Sequence, residues 1–345
     1  MSLNLTWSLV ALGAVVLLAV LAQGWWTAHR ARPRRAAAIS DARVEPSMAG
    51  MPADALAVPE SMPELRLAPL RRVARIDALI DAIVPMTLEA PVSGELLLAH
   101  QPTSRRAGTK PFHVEGLDSE TGEWDAPTPG RRYSELQAGV QLASRSGPLN
   151  EIEYSEFLQK VGAFADAVGA ATDVPDMLEV VARARELDGQ AGPLDAQLTV
   201  KLRSNSVAWS VAYVQQVAAR HGLVPGAVPG RMVLPSADEG APPLLVLSVD
   251  SQAALAETPQ DSVVRECVLS FDVPQSPESA EPFPAWHRLA TTLADDMDAT
   301  AVDDQNQPVM LQAYAAIGRE LGDLYRRLEA LDLAAGSPAA RRLFS

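Results

Sequence analysis

The feature that most constrains this chain is an uncharged apolar run near its N-terminus. No ionisable side chain occurs from Leu5 to Trp26, and residues 9–22 are all Leu, Val, Ala or Gly. Twenty-two helical residues span about 33 Å at about 1.5 Å each, which matches a hydrocarbon core of about 30 Å. Trp7 and Trp25-Trp26 flank the run, where aromatic rings favour the membrane interface. The run therefore predicts a transmembrane anchor over residues 1–28, with residues 5–26 in the membrane.

The flanks of this run predict its orientation. Four arginines follow it, at positions 30, 32, 34 and 35, whereas no Lys or Arg precedes it. Because basic flanks stay in the cytoplasm, we expect a single-pass protein with Met1 outside and residues 27–345 in the cytoplasm. A cleaved signal peptide is the alternative. It requires a basic start and a small-x-small exit, whereas here Gln23-Gly24 leads into two tryptophans.

Charge divides the rest of the chain into a basic neck and an acidic body. Residues 27–75 carry nine arginines against five acids, a net charge of +4, and their prolines interrupt any helix longer than two turns. Because the whole chain carries −14 and residues 1–26 carry no charge, residues 76–345 hold −18. The pattern predicts a basic, Pro/Ala-rich linker over residues 29–75. The acidic body argues against nucleic acid as a partner, since it would be repelled by a phosphate backbone.

The second half of the body, residues 195–333, has the clearest periodicity. Strands are predicted where apolar and polar residues alternate, at 196–202, 231–234, 244–249, 266–273 and 300–304. Helical spacing predicts helices at 207–222, from Pro284 onward, and at 310–333. This order predicts an α+β fold, in which helices cover one face of a mainly antiparallel sheet and leave the other face open. Residues 334–345 are expected to form a frayed tail.

The first half, residues 76–190, has a weaker pattern of the same kind. Strands are predicted at 78–88, 112–117 and 136–144, and a short helix at 94–100. A longer helix is predicted at 152–169, with its apolar face formed by Ile152, Phe157, Val161, Phe164 and Val168.

The ends of the two halves resemble each other. The run that begins at Phe164 (FADAVGA) parallels the run that begins at Leu293 (LADDMDA), and each precedes a helix that contains Arg-Glu-Leu. A tandem duplication would place Phe164 over Leu293 and Met177 over Met310. The alternative is that two helices rich in Ala, Asp and Leu resemble each other by composition alone.

Two stretches resemble a known family. The head, Leu9–Arg32 (LVALGAVVLLAVLAQGWWTAHRAR), is similar to the membrane anchor of the bacterial cell-division family ZipA, which ends in Gly-aromatic-Trp-Thr before basic residues. The second stretch resembles the FtsZ-binding domain of that family in its predicted order of elements and in two motifs. These motifs are Phe271-Asp-Val-Pro274 and the run Leu293–Gln305 (LADDMDATAVDDQ). Ser93-Gly-Glu-Leu-Leu-Leu98 resembles the start of the family's first helix but lies in the first half. The resemblance covers residues 5–35 and about 195–333, with 76–190 as a divergent copy.

This resemblance implies a fold, a partner and a location. ZipA proteins tether the tubulin-like division protein FtsZ to the bacterial inner membrane, with the N-terminus in the periplasm and the C-terminal domain in the cytoplasm. That domain is a split β-α-β fold that binds the C-terminal tail of FtsZ on its exposed sheet face, mostly through apolar contacts. This chain departs from the family in its shorter linker and in polar residues at positions where aliphatic and aromatic side chains are usual, at Gln197, Thr199, Lys201 and Ser270. The exact binding footprint stays open.

Strand phase selects candidate binding residues. If Leu245, Leu247 and Leu269 point to the core, the alternate residues of the same strands lie on the open face. Uncovered aliphatic residues among polar ones are what an apolar peptide requires in order to dock. The candidate partner-binding residues are Leu244, Val246, Ser248, Val268, Ser270 and Thr199.

The residues that could carry catalysis have structural explanations. Asp295-Asp296 and Asp303-Asp304 are adjacent pairs, whose side chains diverge and do not form a catalytic dyad. Cys267, the single cysteine, is in phase with Leu269 and is expected in the core, and His221 ends a helix. We therefore expect no enzyme, and no cofactor, metal or small-molecule substrate. A membrane-anchored scaffold or regulatory module that binds another partner, or itself, is the first alternative to an FtsZ adaptor, and a membrane-anchored enzyme of the cell envelope is the second.

Overall fold

The computed structural model describes residues 75–238, 240–250, 253, 255, 262–309 and 311–345. The predicted anchor and nearly all of the predicted linker lie outside these residues, as does Met310. Within the described ranges, no helix is both long enough and apolar enough to cross a membrane. The described chain forms two compact units, residues 75–192 and 193–344.

The first unit is a sheet covered by helices. Its strands are β1 Asp81–Ser93, β2 Arg106–Ala107, β3 Lys110–Asp118, β4 Trp124–Asp125, β5 Arg132–Gln141, β6 Ala143–Ser144, β7 Gly147–Pro148 and β8 Ala170–Thr172. Its helices are α1 Gly94–His100, α2 Glu151–Val168 and α3 Met177–Ala191, and a 3₁₀ turn follows at Gly192–Leu194. The strand order is β2-β3-β5-β1-β8, every pairing is antiparallel, and β4 also pairs with β3.

Capping and packing fix the long helix α2 of this unit. Asn150 caps its start and exchanges hydrogen bonds with Glu153 in a capping box, and Gly169 ends it in the left-handed conformation. Phe157 packs edge-on against Phe112 of β3, with ring centroids 5.4 Å apart. The predicted inward position of Ile152 was wrong: its side chain is 81% exposed. Tyr154, which is fully buried, takes that place in the core.

The second unit has its own sheet and core. Its strands are β9 Gln197–Ser204, β10 Trp209–Ser210, β11 Val224–Pro225, β12 Arg231–Leu234, β13 Leu245–Ser248, β14 Val263–Val264, β15 Glu266–Asp272 and β16 Ala299–Val302. Its helices are α4 Val211–Arg220, α5 Pro282–Met297, α6 Leu311–Ala330 and α7 Pro338–Leu343, with a 3₁₀ turn at Glu278–Ala280. The strand order is β11-β12-β13-β15-β9-β16, all antiparallel, and β10 pairs with β14.

Helices of the second unit cover one face of its sheet. Inward side chains of the strands, such as Val200, Leu247 and Leu269, join one core cluster with residues of α4, α5 and α6. Trp286 of α5 is buried in this cluster, and its indole Nε1–H donates to the Leu269 carbonyl at 3.1 Å. This hydrogen bond satisfies the indole inside the apolar core. The predicted α+β class with antiparallel sheets is thus confirmed.

The expected frayed tail at residues 334–345 was wrong. Ser337 caps α7 through its hydroxyl, and Pro338 occupies the first helical position. Leu343 and Phe344 are 3% exposed, and the Gln275 side chain donates to the Phe344 carbonyl at 2.7 Å. Apolar burial and this hydrogen bond hold the tail against the second unit.

The two units share an order of elements. Within each sheet, four strands follow the order β3-β5-β1-β8 in the first unit and β13-β15-β9-β16 in the second. The helices α2 and α5 occupy the same place in the chain order, and each runs directly into an edge strand. Each helix also ends in a left-handed residue, Gly169 with φ 70° and Asp298 with φ 54°.

Candidate peptide-binding face

The side of the second sheet opposite the helices forms a continuous surface, which we call the outer face. Strand register aligns Val246 of β13 with Ser270 of β15 and with Val233 of β12, and Ser270 in turn with Thr199 of β9. The next row aligns Ser248 with Val268, and Val268 with Lys201. The outer face therefore consists of Thr199, Lys201, Val224, Arg231, Val233, Val246, Ser248, Val268 and Ser270, with Val224 joining through its pairing with Val233 and Arg231 through its pairing with Ser248. The same alternation places Arg203 with Glu266, and Gln197 with Asp272, at the two ends of β9 and β15 on this side.

Burial separates this face from the core. The flanking residues Leu245, Leu247 and Leu269 are at most 1% exposed. In contrast, Val246 and Val268 are only half-buried, and Val224 is 45% exposed. The outer face thus presents a row of aliphatic side chains that no helix of the described second unit covers. Neighbouring apolar side chains that stay partly exposed, as these do, are a feature of interaction surfaces.

The two serines add little polarity to this row. The Ser270 hydroxyl donates to the Val246 carbonyl at 3.4 Å, and the Ser248 hydroxyl donates to the Val268 carbonyl at 3.5 Å. Each serine therefore directs its hydroxyl at the backbone of a neighbouring strand. Ser270 is also 7% exposed, so that it contributes less surface than the valines beside it. A ligand that covers the valines therefore has few polar groups to desolvate there, whereas the charged side chains of Arg231 and Lys201 lie at the two ends of the neighbouring row.

The structure brings together five of the six predicted binding residues: Thr199, Val246, Ser248, Val268 and Ser270. Leu244 lies apart from them. It precedes β13, its backbone N–H donates to the Leu234 carbonyl at 2.9 Å, and its side chain packs against the core cluster. Sequence reasoning missed Val224 and Val233. The signal for Val233 was present, because the alternation in β12 places Met232 inward and its neighbour outward.

The corresponding face of the first sheet is polar and carries a segment of its own chain. Glu115 of β3 is 2% exposed, and its carboxylate accepts hydrogen bonds from the backbone N–H groups of Arg75 and Ile76, the latter at 3.2 Å. The Gln137 side chain donates to the same carboxylate at 3.2 Å. Ile76 packs over Gly139, where a Cβ atom would come within 2.7 Å of its side chain. An apolar peptide would have to displace this segment, so the outer face of the second unit is the better candidate.

The residues considered for catalysis occupy structural positions. The Asp296 carboxylate lies 3.0 Å from His221 Nε2 and 3.8 Å from an Arg220 guanidinium nitrogen, on the surface. Asp303 accepts the backbone N–H groups of Gln305 and Gln307 at 2.9 and 2.8 Å and so closes a turn. Burial raises the pKa of the Cys267 thiol to about 12, which keeps it protonated. In the part of the chain that the structure describes, no group of three or more His, Cys, Asp or Glu residues is placed to hold a metal ion.

Comparison with known proteins adds no relative to this picture. No family model matches the sequence, and no curated protein matches it.

Proposed function

We propose that this chain is a membrane-tethered adaptor of bacterial cell division that binds the C-terminal tail of FtsZ. The observation that carries the proposal is the outer face of the second unit, where Val224, Val233 and Val246 form an aliphatic row across antiparallel strands and Val268 lies in the next row. Such a surface can bury the apolar side of a short extended or helical peptide. The similarity of residues 9–32 and 293–305 to ZipA supports FtsZ as the partner.

The proposed tether is the N-terminal part of the chain. The uncharged run Leu5–Trp26 has the length and the aromatic flanks of a membrane-spanning helix, and the arginines after it favour a cytoplasmic body. We place the protein in the bacterial inner membrane as a single-pass protein with a periplasmic N-terminus. The basic linker would lie near the anionic membrane surface, to which its arginines are attracted.

We also propose that the two units are a tandem duplication of a split β-α-β domain. The shared strand order supports this, as do the left-handed residues Gly169 and Asp298 that end equivalent helices. Phe164 and Leu293 then occupy equivalent buried sites, each five residues before the left-handed residue. After duplication, the first copy kept its fold but acquired Glu115 and the Ile76 segment on the face that the second copy leaves open.

A binding assay with the intact chain tests the function. The full-length protein in detergent micelles is titrated into a fluorescently labelled FtsZ tail peptide, and fluorescence anisotropy is measured. We expect saturable binding with a micromolar dissociation constant and no chemical change in the peptide. A scrambled peptide of the same composition is the control. Equal binding of the scrambled peptide, or no binding of either, would favour the alternative of a scaffold for another partner.

A further inference from the structure

The first unit buries a lysine that has no carboxylate partner. Lys110, the first residue of β3, is 0% exposed, and its side-chain nitrogen Nζ lies at the turn between β6 and β7. Three uncharged oxygens surround this nitrogen: Ser144 Oγ at 2.9 Å, Ser146 Oγ at 3.2 Å and the Gly147 carbonyl oxygen. Among the residues that the structure describes, no carboxylate forms an ion pair with it.

This setting favours the uncharged amine. An ammonium group that leaves water without a counter-charge is costly, whereas a neutral amine can keep the same neighbours. Burial accordingly lowers the pKa of Lys110, although the nearby Glu153 carboxylate opposes the shift. A neutral amine has two N–H donors and one lone pair. It can therefore donate to the Gly147 carbonyl and to one serine, and accept the hydroxyl proton of the other serine, as a general base does.

Ser146 is the serine that a substrate can reach. It is exposed in the turn between β6 and β7, whereas Ser144 is half-buried. The space beside this turn is open, because a Cβ atom added at Gly147 would meet nothing within 4 Å. The Ser146 hydroxyl also lies 2.8 Å from Ser144 Oγ and 3.3 Å from Thr109 Oγ1. Because a hydroxyl hydrogen rotates to suit its partners, the proton of Ser146 can turn to the Lys110 amine.

We propose that Ser146 and Lys110 form a serine–lysine dyad that hydrolyses carboxylic esters. An activated nucleophile needs a base within hydrogen-bond distance and a further group that holds the base, which here is the Gly147 carbonyl. An exposed turn does not enclose its substrate, which favours an ester over the less reactive amide of a peptide bond. The proposal departs from the sequence-based expectation that the chain is not an enzyme, because only the fold brings these two residues together. It concerns the first unit and does not depend on FtsZ as the partner.

The proposed reaction proceeds through an acyl-serine. Ser146 Oγ bonds to the carbonyl carbon of the ester while its proton passes to Lys110 Nζ. The tetrahedral intermediate then breaks its bond to the alkoxy oxygen, which takes the proton from Nζ and leaves as an alcohol. In the second half, water attacks the acyl-serine and gives a proton to Lys110 Nζ. That proton returns to Ser146 Oγ as the carboxylic acid leaves.

A fluorescent fluorophosphonate, which bonds covalently to activated serine hydroxyls, tests the dyad in the full-length protein in detergent. Trypsin cleaves after Arg145, so that Ser144 and Ser146 fall in different peptides and mass spectrometry assigns the labelled serine. We expect label on Ser146, and release of nitrophenolate from p-nitrophenyl acetate. Ser119, which is exposed between β3 and β4, is the internal reference for an unactivated serine. Labelling of Ser146 no faster than of Ser119 would overturn the proposal.

Two variants assign the roles of the dyad, and circular dichroism checks the fold of each. Ser146→Ala changes an exposed turn and should keep the melting temperature, while labelling disappears and ester hydrolysis falls about 100-fold or more. Lys110→Met keeps the length of the side chain without the amine and should slow labelling of Ser146 to a similar extent. Ser119→Ala is the control and should label normally.

Two results would show that there is no dyad: a folded Lys110→Met chain that labels at the native rate, or a Ser146→Ala chain that hydrolyses the ester at the native rate. If Lys110→Met does not fold, the labelling rates of Ser146 and Ser119 in the native chain decide the question alone.

Discussion

Val246→Asp is the substitution that most sharply tests the outer face. Val246 lies between Val233 and Ser270 in the aliphatic row and is half-buried in the free protein. A bound peptide would cover it, and the new carboxylate would then lose water without a partner. We expect the free energy of peptide binding to weaken by about 1–3 kcal/mol, the range for loss of an anchor contact. This corresponds to an increase in dissociation constant of about 5- to 150-fold.

The same substitution should leave the fold intact. Strand propensities differ by about 1 kcal/mol at most between residues on an open face, and for a unit of this size this lowers the melting temperature by about 2–4 °C. Leu247→Asp is the matched contrast, since Leu247 is 1% exposed and faces the core. It should destabilise the unit by about 4 kcal/mol or more, because a charge is buried without a partner.

Fluorescence anisotropy with the labelled FtsZ tail measures the affinity, and circular dichroism measures the melting temperature. Val174→Asp, at a 47% exposed valine of the first unit, is the control for adding a surface charge and should bind normally. If Val246→Asp unfolds the protein, Val246 belongs to a core and the strand phase is wrong. If it folds and binds with unchanged affinity, the peptide site lies elsewhere.

Three further predictions concern the fold and the topology. Asn150→Ala removes the capping box of α2 and should lower the free energy of unfolding by about 1 kcal/mol in urea titrations; no change would show that the cap contributes nothing. Burial raises the pKa of the Cys267 thiol to about 12, so that it should react with a thiol reagent at pH 8 only after denaturation. Rapid reaction of the native protein would contradict its core position. A reporter fused after Ser345 should be active only if it is a cytoplasmic reporter, and an active periplasmic reporter would refute the proposed orientation.

The strands of the second unit were predictable because one face of its sheet packs against the core and the other does not. The alternation around Leu245, Leu247 and Leu269 specifies both the strands and the side on which Val246 lies, and the structure keeps that phase. At strand ends, periodicity no longer predicts the face on which a side chain lies. In the sequence, Leu244 continues the alternation of inward and outward residues. In the structure, it lies before the strand and packs against the core. Because Leu244 lies outside the strand, the rule that alternate residues point to opposite faces does not fix the side on which it lies.

The predictions for Ile152 and for the tail at residues 334–345 were wrong because each depends on where a helix begins. Ile152 was assigned to the core from its apolar character, but the capping box between Asn150 and Glu153 sets the first turn of α2 so that Tyr154 points inward instead. The tail was expected to fray because the last residues of a chain are often poorly ordered. The Ser337-Pro338 pair is a start signal for a helix, and it could have predicted α7.

The aliphatic character of the outer face follows from strand phase, but the pocket that Glu278, Phe283 and Tyr325 line in the second unit does not. Its residues come from a 3₁₀ turn and two helices that are distant in sequence, and only the folded structure brings Glu278, Phe283 and Tyr325 together. The segment over the first sheet is a similar case. Nothing in the sequence pairs Glu115 with the backbone of residues 75 and 76, since that contact depends on where the chain enters the unit.

We propose that this chain links FtsZ filaments to a membrane, and vesicle flotation measures that link. Full-length protein is reconstituted into lipid vesicles, mixed with FtsZ filaments and centrifuged through a density gradient. We expect FtsZ to float with vesicles that carry the native chain. It should stay at the bottom of the gradient when the vesicles are empty or carry the Val246→Asp chain, and so should FtsZ that lacks its C-terminal tail. Flotation of the tail-less FtsZ, or no flotation with the native chain, would contradict it.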